Sequence, residues 1–207
     1  MFWAIIRIII RRIIRRIFGN NFYWRKRRAN WEVAYWDTKS QLHRTTLMNV
    51  LSKIDFSSIL EIGCNCGPNL ARVLEINKTI DIAGIDLNKK AIELAKKKMP
   101  NGDFRIGEVE NLPYKDKSFD IVLTDAVLIY VSRQKILKVK QEIERVAKKV
   151  IVMVEWHDSK GNAIGKRKKS YWIRNYTALF KRPVEVIKIN NWGGDWNKYG
   201  YIIIIKL

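Results

Sequence analysis

The 207-residue chain has the length of one ordinary domain, and its 47% hydrophobic content supports a substantial core, which excludes wholesale disorder. Its two cysteines, Cys64 and Cys66, and its two histidines exclude a disulfide framework and give no zinc-site spacing, so a reducing compartment is expected. Lys and Arg total 40 against 20 acids, a formal net charge of +20. Nine basic residues and no acid fall in 1–30, and eight basic residues and no acid fall in 159–182. From Asp55 to Tyr130 there are twelve acids and ten bases. Basic ends on a near-neutral middle attract phosphate-rich partners, either anionic lipid or nucleic acid.

The first element is an expected amphipathic helix. At about 100° per residue, Phe2, Ile6, Ile9, Ile10, Ile13 and Ile17 share one face, while Arg7, Arg11, Arg12, Arg15 and Arg16 occupy the opposite half. Ile5, Ile8 and Phe18 break the pattern, and Gly19 with Asn20 and Asn21 supplies a stop. Five arginines inside the apolar stretch argue against a membrane span and against a cleaved signal peptide. An interfacial helix on an anionic membrane fits better, extended by Phe22, Tyr23, Trp24 and Arg25–Arg28 as an aromatic and basic anchor. The alternative is a helix packed on its own domain or on a second subunit. The expected division is therefore a membrane-surface segment over 1–30 and one domain over 31–207, a cytoplasmic protein peripherally associated with the membrane.

From residue 40 onward, helical patterns at 40–53, 68–76, 88–99, 133–147 and 170–180 alternate with β-branched runs. Strands are expected at 58–62, 80–85, 103–106, 119–124, 149–154, 184–189 and 199–206. This rhythm predicts an α/β, Rossmann-like, doubly wound seven-stranded sheet, mostly parallel. The last two strands, joined by NNWGGDWNKYG with no predicted helix, should form an antiparallel hairpin at one sheet edge.

The first strand runs into Gly63-Cys64-Asn65-Cys66-Gly67 and then a helix. Gly63 and Gly67 allow a tight turn that a ligand can approach, and Asn65 tolerates a left-handed conformation. The second strand ends at Asp86, nineteen residues beyond Gly67, where a carboxylate can accept both hydroxyls of a ribose; the alternative is a helix cap near Asn88. Pro68 spoils a dinucleotide fingerprint, and no Gly-Lys-Ser/Thr follows the turn, so phosphate cradling is disfavoured.

Three stretches together resemble class I methyltransferases that use S-adenosylmethionine: Glu61 through Gly67, Gly84-Ile85-Asp86-Leu87-Asn88, and Gly107 through Tyr114 followed by Ser118-Phe119-Asp120-Ile121-Val122. The similarity spans roughly 55–155. It implies S-adenosylmethionine as cofactor, with Glu61 and the backbone of Gly63 and Cys64, in the turn completed by Asn65 and Gly67, at its methionine portion. It implies Asp86 on the ribose, Leu87 packed on the adenine, Glu108 on the adenine amino group and the N–H of Val109 on a ring nitrogen. Glu108 stands where the family usually has Asp, and Asn65 replaces a common glycine. Thr124, Asp125 and Ala126 would line the methyl-donor side.

Acceptor chemistry is expected beyond the carboxyl ends of the fourth and fifth strands. Candidates there are Asp125 and Tyr130, then Glu155, Trp156 and His157, with His157 as a base near neutral pH. His43, on a helix before the core, ranks below it. Lys166–Lys169 with Tyr171, Trp172 and Arg174 reads either as a solvated loop or as a basic-aromatic flap that clamps a phosphorylated or lipid-linked acceptor. The expected activity is methyl transfer at a membrane surface to a lipid-linked, glycan or other small-molecule acceptor. An RNA methyltransferase and a non-catalytic membrane adaptor are the alternatives. No carboxylate cluster suits an octahedral metal.

Overall fold

The computed structural model describes residues 10, 19–36, 42–190 and 192–207. The predicted amphipathic helix over 1–18 lies outside the described residues except at Ile10. No helix among the described residues is long and apolar enough to cross a membrane.

Seven strands form one sheet: β1 (Ser58–Ile62), β2 (Asp81–Asp86), β3 (Asp103–Ile106), β4 (Phe119–Asp125), β5 (Ala147–Trp156), β8 (Val184–Lys188) and β9 (Gly200–Lys206). Their order is β3-β2-β1-β4-β5-β9-β8. The first five pair in parallel, while β9 pairs antiparallel with both β5 and β8. Two-residue alternation sends successive side chains to opposite faces. Ile59, Ile121, Leu123, Val150, Val152 and Val154 join one core layer, with α2 (Leu42–Leu51), α3 (Pro68–Ile76) and α4 (Lys89–Lys98). Leu60, Ile62, Val122, Ile151 and Met153 join the other, with α5 (Ile136–Val146) and α6 (Tyr176–Phe180). Strands covered on both faces need no polar alternation, which is why these runs are almost continuously apolar.

Ahead of α2, the chain is helical over 19–26 (α1) and makes a π-helical turn at Glu32–Trp36. These segments do not stand apart from the domain. Asn88 caps α4 by accepting from the N–H groups of Lys90 and Ala91, and its Nδ2 donates to the carbonyls of Trp24 and Arg27, each at 2.9 Å. Tyr23 is buried, Trp24 packs edge-on against Tyr130, and Arg27 lies over the Trp24, Trp31 and Tyr35 rings. Of the expected aromatic and basic anchor, Tyr23, Trp24 and Arg27 are thus turned toward the protein, while Phe22, Arg25, Lys26 and Arg28 are exposed. Asn88, and not Asp86, is the helix cap.

Two elements depart from the sequence reading. In place of a helix over 170–180, Lys166–Lys168 (β6) and Tyr171–Ile173 (β7) form a hairpin with Lys169 left-handed in its turn. Helix α6 starts only after Asn175, whose side chain accepts from Ala178 N–H. Tyr171-Trp172-Ile173 favours a strand, and Asn175 supplies the cap that delays the helix. The connection into β9 contains a short helix, α7 (Gly194–Tyr199), whose Trp196 packs on Trp156 and Trp192.

Candidate active site

Strand order reverses between β1 and β4, and open sheets of this kind leave a crevice beyond their carboxyl ends at such a point. A cavity of about 860 Å³ lies there. Its floor is the turn after β1. Gly63, Asn65 and Gly67 all have positive φ, and a Cβ on Gly63 would overlap the Val127 side chain after β4. The Gly63 and Cys64 N–H groups donate to Ile85 O, Asn65 N–H to Asp86 Oδ2, Cys66 N–H to Asn65 Oδ1 and Gly67 N–H to Cys64 O. Every N–H of the turn is therefore satisfied internally, and the turn offers no nest for a phosphate. That agrees with a ligand whose polar groups are hydroxyls and an amino acid.

Asp86 ends β2 at the rim of this floor. Its oxygens accept from Asn65 and Asn88 N–H at 3.0 and 2.8 Å, which fixes the carboxylate and leaves further lone pairs for ribose hydroxyls. Burial raises its pKa, with the N–H groups of Asn88, Asn65 and Leu87 acting against that rise. Leu87 and Val109 line the cavity beside it. Glu108 does not reach the cavity lining: its carboxylate pairs with Arg25 and accepts from Asn21, both on α1. Glu108 is thus held in a surface ion pair, and Glu110, paired with Lys135, lines the cavity.

A buried polar wall climbs from the floor toward β4. Asn69, on α3, donates from Nδ2 to Glu61 Oε1 at 2.7 Å and to Asp125 Oδ2 at 3.0 Å, and accepts from Arg44 Nε at 3.0 Å. Glu61 is 2% exposed, its Oε2 has no partner among the described residues, and burial pushes its carboxyl up to about 8. An unpartnered buried carboxylate oxygen at a cavity wall calls for a cation, and the ammonium of a methionine group is one. Arg44 supplies the matching positive charge for its carboxylate. The residues present fit S-adenosylmethionine.

Asp125 connects this wall to an imidazole. His43 Nε2 stands 3.5 Å from Asp125 Oδ2, and the ring is stacked on Trp192 with centroids 3.8 Å apart. Burial pushes the Asp125 carboxyl up, but His43, Arg44 and Asn69 outweigh it and hold it below its usual range. His43 and Asp125 both line the cavity, as do Tyr130, Trp172 and Arg167.

His157 does not. It is buried behind the sheet end, its Nδ1 accepts from Tyr176 N–H at 3.2 Å, its backbone N–H donates to Tyr199 O, and burial lowers its pKa. The expected base at His157 is therefore a packing residue, and His43 is the histidine at the cavity. Glu155 and Arg174 are also structural. Glu155 accepts from Thr124 Oγ1 and from the N–H groups of Val127, Leu128 and Ile129; burial lifts its carboxyl to about 7 against those donors. Arg174, fully buried, donates to the carbonyls of Leu128 and Val131. Together they clamp the 126–131 loop from both ends, so Arg174 does not belong to an open basic flap. Lys166 and Lys168 are paired with Asp158 and Asp195.

A family model described as a methyltransferase domain matches residues 59–150. A phthiotriol/phenolphthiotriol dimycocerosates methyltransferase of Mycobacterium tuberculosis is 32% identical over 42% of this chain and 34% of its own length. A demethylmenaquinone methyltransferase of Thermotoga maritima is 29% identical over 38% of this chain and 34% of its own. The chain thus aligns with about a third of the length of these curated relatives. A solved S-adenosylmethionine-dependent methyltransferase from Aquifex aeolicus shares the fold, with a TM-score of 0.55 at 16% identity over 77% of this chain and 88% of that one. The matched stretch, the seven-stranded topology and the Glu61 and Asp86 geometry converge: residues 59–150 carry a methyltransferase domain, on the fold shared with S-adenosylmethionine-dependent methyltransferases.

Proposed function

We propose that this chain transfers a methyl group from S-adenosylmethionine to an apolar acceptor taken up at an anionic membrane surface. The observation that carries the reading is the cavity at the β1–β4 reversal. Its lining combines polar groups (Glu61, Asn69, Arg44, Asp86) with aromatic ones (Trp24, Trp31, Trp172, Trp192). The cofactor supplies an electrophilic methyl group carried on a sulfonium. The chain supplies position: Glu61 and Arg44 hold the two charges of the methionine group, Asp86 the ribose, and the clamped 126–131 loop the methyl side. Alignment of this kind accounts for most of what such a transfer requires, because it converts an encounter into an intramolecular step.

The membrane part rests on sequence and placement. The arginine-rich amphipathic pattern of 1–18 leads directly into α1, and Gly19, Asn20, Asn21 and Trp24 of α1 line the cavity. A segment lying on a bilayer would therefore be continuous with the wall of the site. The named acceptors of the two relatives, dimycocerosates and demethylmenaquinone, are in keeping with an apolar acceptor.

Two measurements test the proposal. Calorimetric titration with S-adenosylhomocysteine should show micromolar binding that Asp86→Ala weakens tenfold or more, about 1.4 kcal/mol. Flotation with anionic liposomes should be lost when Arg11, Arg12, Arg15 and Arg16 are changed to Gln. Binding to RNA in preference to liposomes would replace the membrane reading with an RNA one.

A further inference from the structure

We propose that Arg167 selects the acceptor, by pairing with a carboxylate or phosphate oxyanion carried on an otherwise apolar molecule. This rests on the methyltransferase reading and deepens it by naming a group on the acceptor. The β6–β7 hairpin sorts its side chains by strand alternation. On β6, Lys166 and Lys168 point one way, to Asp158 Oδ2 at 3.0 Å and Asp195 Oδ1 at 2.6 Å. Arg167, between them, belongs to the other face and lines the cavity. Its register partner on β7, Trp172, lines the cavity as well, whereas Tyr171 and Ile173 pack with Ile129 and Trp156. One face of the hairpin is thus neutralised and packed, and the other gives the cavity one guanidinium beside one indole.

The hairpin belongs to the acceptor side. Arg174, directly after β7, donates to the Leu128 and Val131 carbonyls, and Tyr171 meets Tyr130 with ring centroids 5.4 Å apart. Both contacts fasten the hairpin to the 126–131 loop. The groups that suit the cofactor, Glu61, Asn69, Arg44 and Asp86, come from β1, α3, α2 and β2, and none from the hairpin.

Among the described residues three lysine or arginine side chains line the cavity, and two are engaged there: Arg44 donates to Asn69, and Lys135 pairs with Glu110. Arg167 has no acidic partner among the described residues. Its Nε donates to Lys169 O at 2.9 Å, in the left-handed turn of the hairpin. That bond restrains the guanidinium and leaves the two terminal nitrogens, which suit a carboxylate or a phosphate held by paired hydrogen bonds. Arg167 is exposed, so the oxyanion lies at the mouth of the cavity and the apolar part of the acceptor lies inward, among the indoles.

The experiment begins with S-adenosylhomocysteine titrated into wild type and Arg167→Gln. No binding by folded wild type overturns the methyltransferase reading, and this inference with it. A tenfold loss in Arg167→Gln would place the residue at the cofactor and overturn this inference alone; binding within threefold supports it. Three probes with one apolar tail are then titrated into the loaded proteins below their micellar concentrations, followed by tryptophan fluorescence. They are 4-octylbenzoate, 4-octylphenyl phosphate and the neutral 4-octylbenzamide.

Wild type should bind at least one anionic probe ten times more tightly than the amide, and the tighter anion identifies the group. Arg167→Gln should lose at least tenfold for that probe and less than threefold for the amide. Arg167→Lys, which keeps the charge without the fork, should recover part of that loss. Lys166→Gln combined with Lys168→Gln, on the packed face, should cost less than threefold. The preference of wild type tests the inference even where a variant fails to fold. Equal affinity for the amide and both anions, or a double-variant loss equal to that of Arg167→Gln, would overturn it. A bilayer headgroup is the other source of such an anion. Loss of flotation with phosphatidylglycerol vesicles in Arg167→Gln, with probe affinity unchanged, would assign Arg167 to the membrane and overturn the inference as well.

Discussion

Asn69 Nδ2 donates to Glu61 Oε1 at 2.7 Å while the second carboxylate oxygen of Glu61 stays buried and unpartnered among the described residues. This half-satisfied carboxylate has consequences for both binding and stability.

Glu61 carries a carboxyl lifted by burial to about 8, so the free protein holds it largely protonated at pH 7. A bound ammonium favours the ionised form. S-adenosylhomocysteine should therefore bind more tightly as pH rises from 6 to 8 and release protons, measurable by calorimetry in buffers of different ionisation enthalpy. Stability should run the opposite way. The folded carboxyl titrates above its unfolded value, so its contribution is full below about 4.5 and is lost as pH rises through about 8. Glu61→Gln should raise Tm at pH 8 more than at pH 5 and should weaken ligand binding at least tenfold. Equal Tm shifts at both pH values would show that Glu61 is not the group responsible.

Much of this arrangement was legible in the sequence because it is local. Glu61, Gly63, Asn65 and Gly67 lie on one strand–turn–helix unit, and the continuous apolar runs of β1, β4 and β5 reflect burial on both faces. In sequence His43 stands on a helix before the core, remote from every motif; α2 brings it to the cavity from outside the matched domain. A signal did exist. His43 stands four, seven and eight residues before Leu47, Val50 and Leu51, all buried, so a histidine occupies the apolar stripe of its helix. The ion pair of Glu108 with Arg25 joins residues 83 apart and had no local signature.

That ion pair should matter little to folding. Arg25 is 53% exposed and Glu108 39%, and surface pairs contribute about 0–1 kcal/mol. Arg25→Ala should shift Tm by no more than a few degrees. Glu108→Ala should weaken S-adenosylhomocysteine less than threefold, against tenfold or more for Asp86→Ala. A Glu108→Ala loss equal to that of Asp86→Ala would restore Glu108 to the adenine site.

Arg174 should matter a great deal. Its guanidinium is fully buried and donates to Leu128 O and Val131 O. Arg174→Met keeps the apolar stem and strands two carbonyls, at a cost of about 1–3 kcal/mol for each one left unsatisfied. For a chain of this length, about 2–4 °C of Tm is lost per kcal/mol. Thermal unfolding should therefore move down by several degrees or more, and hydrogen exchange should speed up first over 126–131. Unchanged protection of that loop would mean that Glu155 alone holds it.

Gly63 separates steric exclusion from backbone strain. Its φ is +70°, where a side chain is strained, and an added Cβ would also overlap Val127. Gly63→Ala should destabilise the protein and push the 126–131 loop away from the floor of the cavity, with loss of S-adenosylhomocysteine binding. Val127→Ala removes the overlapping methyl groups and leaves φ as it was. In the double variant, binding should return in part while Tm stays below that of Val127→Ala alone. Full recovery of both would show that the overlap is the whole penalty. Recovery of neither would place it in the backbone, and the close approach of the two loops would then have no part in forming the site.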